Sequence, residues 1–147
     1  VVLRYFSVYG PRMRPDLSLR SFVERVLSGQ PPIIYGDGNQ SRDWTYIDDA
    51  ISATVAAIER EEAVGEVFNI GCGNRTTVNQ AAHMIISLLG KEGEISPIHE
   101  PAYKGDFPHT QANIAKARKI LGYMPSVSLE EGVKRLIEWC KTVRQMR

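Results

Sequence analysis

The sequence predicts an α/β domain, and three observations predict it. Short runs rich in β-branched and aromatic residues, bounded by glycine or proline, read as strands. Between them, apolar residues recur at the three- and four-residue spacing of helices that bury one face. The two kinds of segment alternate along the chain, the pattern of α/β proteins. A chain of 147 residues is the size of one ordinary domain, and a hydrophobic content of 43% is enough to build its core.

Each element follows from local chemistry. Val1 to Val8 reads as a strand that Gly10 and Pro11 break, and Arg12, Arg14 and Pro15 form a basic loop. Leu19, Phe22, Val23, Val26 and Leu27 lie on one helical face, which Gly29, Pro31 and Pro32 terminate. Ile33 to Tyr35 is a short strand, followed by a turn of glycine, aspartate and asparagine. Asp48 or Asp49 is expected to cap a helix from Ala50 to about Glu59. Glu66 to Ile70 is a buried strand closed by Gly71 and Gly73. Thr77 and Gln80 have capping-box spacing, and Val78, Ala81, Ala82, Ile85 and Leu89 line the helix they open. Ile95 to Ile98 is a candidate strand, and Pro97 to Asn113 a long loop of the length that usually carries function. A helix from Asn113 to Leu121 stops at Gly122. Ser128 and Glu131 form a second capping box, opening a helix lined by Leu129, Val133, Leu136, Ile137 and Cys140. Lys141, Arg144 and Arg147 suit that helix's C-terminal dipole.

Composition narrows the function classes. A net charge of +1 gives no general electrostatic reason to bind nucleic acid or an anionic membrane. No run approaches the ~20 apolar residues of a membrane helix. Cys72 and Cys140 lack metal or redox spacing and read as free thiols, which fits a reducing, cytoplasmic setting. His83 falls within an amphipathic helix, while His99 and His109 lie in the long loop without further ligands at metal-site spacing. No residue of the chain is assigned a catalytic role, and no metal site is predicted.

Arg42 is the residue that asks for an explanation. It follows a turn that can be shaped around a ligand, and Tyr35, Trp44 and Tyr46 offer flat surfaces close by. A guanidinium is always charged and meets phosphate oxygens two at a time, so the combination suits a nucleoside diphosphate. A structural contact of Arg42 with Asp43 or with an aromatic ring is the alternative.

The stretches LRYFSVYGPR, IIYGDGNQSRDWTYIDDA, FNIGCGNRTTVNQ and GDFPHTQANIAKARKILGYMPSVSLEEGVKRLIEW, in this order, resemble the extended short-chain dehydrogenases. Among these the chain is most similar to the NAD-dependent nucleotide-sugar epimerases and dehydratases, with UDP-glucose 4-epimerase the nearest flavour. The resemblance implies the C-terminal, substrate-binding portion of a Rossmann-type enzyme, residues 1–147. Residues 1–10 and 66–71 would then be strands of a sheet shared with an N-terminal NAD-binding half. The family's glycine-rich NAD loop and tyrosine-xxx-lysine base are expected upstream, in keeping with a chain that opens directly on an apolar strand.

The resemblance also implies roles. Tyr5 and Phe6 approach the nicotinamide end of NAD. Ser7 stands at a position that is usually asparagine and contacts the diphosphate. Asp16 and Leu17 border the nucleotide, Ile33, Ile34 and Tyr35 hold the uracil, and Arg42 grips the phosphates. Tyr103 takes the place of a second phosphate-binding arginine, with Lys104 beside it as a point charge, before Asp106. Thr110 sits where some epimerases place a tyrosine. The implied reaction interconverts C4 epimers of a UDP-sugar through a 4-keto intermediate, in an enzyme expected to be a homodimer. A dehydratase or decarboxylase on the same scaffold, a non-catalytic binding module and an inert fragment are the alternatives.

Overall fold

The structure, a computed structural model, describes residues 1–146. The set of elements is α/β as expected, with helices packed around several small sheets. In order these are β1 (Val2–Tyr5), β2 (Val8–Tyr9), α1 (Ser18–Leu27), β3 (Ile33–Tyr35), β4 (Ser41–Arg42), β5 (Thr45–Tyr46) and α2 (Ile47–Glu59). After a short 3₁₀ turn come β6 (Val67–Ile70), β7 (Thr76–Thr77), α3 (Val78–Leu88), β8 (Ile98–Glu100), α4 (Ala115–Leu121) and α5 (Leu129–Gln145). The pairs β1–β6, β2–β5 and β3–β8 are parallel, and β4–β7 is antiparallel.

Two apolar clusters hold these elements. Leu19, Phe22, Val23 and Val26 of α1 meet Ile85 of α3 and Val133, Leu136 and Ile137 of α5, with Tyr9 and Tyr46 in the same cluster. Phe68 and Ile70 of β6 pack with Ala53 and Ala57 of α2 and Ala117 and Leu121 of α4 in the other. The opposite face of the β1–β6 pair is open, with Val2 and Val67 exposed, and so is the outer stripe of α2 at Ile51, Val55 and Ile58.

The expected strand from Val1 to Val8 is two strands. Phe6 N–H makes the last bond to Ile70 O, and the Ser7 carbonyl then accepts from Thr45 N–H. Between them Ser7 takes φ 25°, which turns the chain from one partner strand to another. The expected strand at Ile95 to Ile98 forms instead at Ile98–Glu100, whose side chains are all exposed and so leave no hydrophobic signal.

Neither Asp48 nor Asp49 caps α2. The N-cap is Tyr46, without a side-chain bond, and both carboxylates lie in the first turn, where they favour the helix dipole. Asp49 is buried and accepts from Ser126 N–H at 2.9 Å, Ser126 Oγ at 3.2 Å and Val127 N–H at 3.2 Å. It staples the segment entering α5. The Thr77–Gln80 box forms in both directions. At α5 only half of the box forms. Ser128 Oγ accepts from Glu131 N–H, but the Glu131 carboxylate takes the Arg135 Nε–H at 2.9 Å. Arg144 lies in the last turn of α5, and Arg147 lies outside the described residues.

Gly132 is required by packing. A Cβ there would stand 2.0 Å from Tyr9 Oη and 2.8 Å from Tyr46 Cδ2. Those rings pack edge to face at 5.5 Å and cannot both withdraw. Glycine to alanine within a helix ordinarily gains about 1 kcal/mol, whereas overpacking costs ~1–3 kcal/mol. At this separation the clash dominates, so Gly132→Ala is expected to lower the urea midpoint at unchanged m-value. A raised midpoint would show that Tyr9 swings aside freely.

Candidate functional site

A cavity of about 780 Å³ opens between the start of α1, β3, β4 and the segment after β8. Asp16 and Leu17 line it from the approach to α1, and Ile33, Ile34 and Tyr35 from β3. Arg42 reaches it from β4, and Tyr103, Lys104 and Asp106 from the segment that follows β8. Residues far apart in sequence are brought together because β3 pairs with β8, which carries the long segment across the mouth. That segment is held again where Ser41 N–H donates to Pro108 O at 2.8 Å and Thr110 N–H to Ser41 O at 3.1 Å.

Arg42 sits on the cavity wall with its side chain 17% exposed. Its Nη1 donates to Ser41 O at 2.8 Å and its Nη2 pairs with Asp106 Oδ1 at 2.5 Å. A guanidinium has five N–H donors, so these bonds leave others to offer a ligand. Asp43 is not its partner. That carboxylate is fully buried and accepts from Cys72 N–H at 2.7 Å and from Gly73 and Ala112 N–H, both at 3.0 Å. Asp43 thus ties the end of β6 and the approach to α4 to the strand that carries Arg42.

The aromatic surroundings differ from the sequence reading. Trp44 and Tyr46 are buried in the core, and the ring of Tyr46 packs against Tyr9 and beneath Arg135. Tyr35 alone of the three faces the cavity, and its partner is Tyr103, with ring centroids 4.3 Å apart. Ser7 and Thr110 do not line the cavity. Ser7 is the hinge between β1 and β2, and the Thr110 hydroxyl is buried without a partner among the described residues. Tyr5 and Phe6 lie elsewhere, at the C-terminal end of β1, the edge at which parallel α/β sheets bind cofactors. The Tyr5 ring is half exposed there and its Oη is 2.8 Å from Thr54 Oγ1, while Phe6 packs against the β6 cluster.

Arg25 and Gln40 also line the cavity and were missed. Arg25 Nε donates to Pro31 O at 2.6 Å, and Gln40 Nε2 to Tyr35 O at 2.7 Å. The signal for Arg25 was present. Ser18, Ser21 and Arg25 fall on one polar stripe of α1, beside the apolar face by which the helix was recognised. A second groove of about 740 Å³ runs past Cys72, Asn74, Gln111 and Arg118. Burial, and then the neighbouring Asp43, push the Cys72 thiol up to about 11, so it is protonated and unreactive at neutral pH. Among the described residues no helix is long and apolar enough to cross a membrane.

Comparison with known proteins bears on this geometry. Residues 1–71 match the NAD dependent epimerase/dehydratase family. UDP-glucuronate 4-epimerase of Thermodesulfobacterium geofontis is 40% identical over 142 residues, 95% of this chain and 42% of the relative. The structure of UDP-glucuronic acid 4-epimerase from Bacillus cereus, in complex with UDP-glucuronic acid and NAD, superposes with a TM-score of 0.92 at 39% identity, covering 97% of this chain and 45% of that one. The UDP-glucose 4-epimerase of Thermotoga maritima, solved with UDP-glucose, gives a TM-score of 0.91 at 40% identity, covering 97% and 46%. The chain therefore spans less than half the length of these relatives. Along nearly all of its own length the chain is similar in sequence and in fold to NAD-dependent epimerases of the extended short-chain dehydrogenase type, and its first 71 residues match the NAD dependent epimerase/dehydratase family.

Proposed function

We propose that this chain is the nucleotide-sugar-binding portion of an NAD-dependent UDP-sugar 4-epimerase. The observation that carries the reading is the cavity itself, where a partly buried arginine stands beside two tyrosines in tilted ring contact and the apolar edge of β3. Ile33, Ile34 and Tyr35 hold the uracil, Asp16 and Leu17 border the nucleotide, and Arg42 binds the diphosphate. Tyr103, Lys104 and Asp106 close over it. NAD, when bound, supplies the hydride chemistry at C4, and Tyr5 and Phe6 border its nicotinamide end.

A sugar that must present both faces during the reaction cannot be held tightly. Binding energy belongs on the remote, unreacting part of the substrate, and the cavity offers its cations there. Both UDP-glucose and UDP-glucuronate are candidate substrates, since the relatives named above act on one or the other. The open face of β1–β6 and the outer stripe of α2 are read as surfaces covered by the NAD-binding half in the whole enzyme, a cytoplasmic homodimer.

The test has two arms. Purified chain titrated with UDP is expected to bind it. The same chain supplied with NAD and UDP-galactose is expected to form no UDP-glucose, because the family's catalytic tyrosine lies outside it. Absence of UDP binding would remove the site assignment, and turnover above a blank would remove the division of labour. For the longer enzyme, product analysis with UDP-glucose and UDP-glucuronate separates a 4-epimerase from a dehydratase or decarboxylase.

A further inference from the structure

We infer that Arg25 reads the nucleobase edge, donating to the C4 carbonyl oxygen, which cytosine lacks, and so admitting uracil while rejecting cytosine. The inference rests on the reading of the cavity as a site for a pyrimidine nucleoside diphosphate. Arg25 projects from the last turn of α1 onto the cavity wall. The 2.6 Å bond from its Nε to Pro31 O ties the side chain to the turn that enters β3. A planar fork held through Nε has a set orientation and spends little entropy on meeting a ligand. Neither Nη has a hydrogen-bond partner and no carboxylate pairs with the group, among the described residues. Arg42, the other guanidinium of the cavity, is by contrast engaged with Asp106.

The backbone of β3 supplies the complementary group. Pro32 O accepts from Ile98 N–H, and Gly36 N–H donates to Glu100 O. In a parallel ladder the groups of alternate residues point to opposite sides. Ile34 therefore faces β8, and the N–H and C=O of Ile33 lie on the open edge, close along the chain to the Pro31 anchor.

Uracil presents a ring N–H flanked by two carbonyl oxygens. Cytosine replaces one of those oxygens with an amino donor and the ring N–H with an acceptor. A donor-only guanidinium beside a backbone carbonyl satisfies uracil at both points. Cytosine in the same pose sets donor against donor and acceptor against acceptor. Sites of this kind discriminate strongly because the wrong ligand leaves desolvated polar groups unpaired. Arg25 is also tethered beside the apolar Phe22 and Ile33, whereas the phosphate-type cation, Arg42, is at the strap that carries Asp106.

The experiment titrates the chain with UDP, CDP and inorganic pyrophosphate, using wild type, Arg25→Ala and Arg25→Lys, with melting temperature as the control for folding. Wild type is expected to prefer UDP to CDP by on the order of tenfold or more. Arg25→Ala should lose on the order of tenfold in UDP affinity, with CDP and pyrophosphate little changed, so that the preference collapses. Arg25→Lys keeps the charge without the fork and should recover only part of the preference; it decides the matter if the alanine variant does not fold. An equal loss for pyrophosphate would make Arg25 a phosphate ligand and overturn the inference. So would a wild type without preference, or a UDP to CDP ratio unmoved by substitution. If wild type binds neither UDP nor pyrophosphate, the reading of the cavity fails first and takes Arg25 with it; if UDP binds and the ratio stays put, Arg25 alone is wrong.

Discussion

Replacing Arg42 with alanine is expected to weaken UDP binding by a large factor and to leave uridine binding almost untouched. The guanidinium is mostly shielded, and a diphosphate brought against it meets a charge-assisted, two-point donor with limited competition from water. Removing one partner of such a pair costs on the order of 2–5 kcal/mol. Arg42→Lys should recover part of the loss, because an ammonium keeps the charge and loses the planar fork. The fold should survive. The residue's ion pair is with Asp106, whose side chain is 46% exposed, and such a pair contributes about 1 kcal/mol or less. Calorimetric titration of both ligands against wild type and the two variants, with melting temperature alongside, makes the comparison. Uridine lacks phosphate and acts as the internal control. Equal UDP affinity in wild type and Arg42→Ala would leave the cavity without its anchor.

The helices were legible in the sequence because they bury one face. Leu19, Phe22, Val23 and Val26 of α1 were expected inside and are inside. The strands β4, β5 and β7 were not foreseen. Each spans two residues, too short for any alternation of side chains, and each is defined by backbone pairing with a distant segment such as Ser41 with Thr77. Asp48 and Asp49 show a related limit. A first-turn acid and a capping acid are the same residue types one or two positions apart, and only the backbone distinguishes them.

The candidate site was legible chiefly through resemblance. The residue pattern singles out Arg42 but also offers Trp44 and Tyr46 as ligand surfaces, and both serve the core. Aromatic rings suit either place, and burial is decided by the strand faces on which they fall. Arg25 was passed over because a polar residue on an amphipathic helix is usually a solvated one. Its value depends on where Pro31 and β3 stand, and no local pattern carries that.

Asp43→Ala is expected to be the most destabilising change among the residues around the cavity, with little direct effect on any ligand. Asp43 is 0% exposed and lines no part of the cavity. Its carboxylate is the shared acceptor for the backbone N–H groups of Cys72, Gly73 and Ala112. Alanine would strand all three donors in a space already crowded by Gly71 and Ala112. An unsatisfied buried donor costs ~1–3 kcal/mol, so even with partial rescue by water the loss should be on the order of 4 kcal/mol. For a domain of this size that lowers the melting temperature by roughly 10 °C or more, at about 2–4 °C per kcal/mol. Asp43→Asn should also be costly, since its NH₂ would face backbone donors that need an acceptor. Asp48 supplies the contrast. It meets Arg135 at 3.5 Å with both side chains largely in solvent, and Asp48→Ala should shift stability by ~0.5 kcal/mol or less. Urea unfolding of the three variants ranks them. If Asp43→Ala melts within a few degrees of wild type, then the loops after β6 and before α4 are held by their own packing, and Asp43 does not position the strand that carries Arg42.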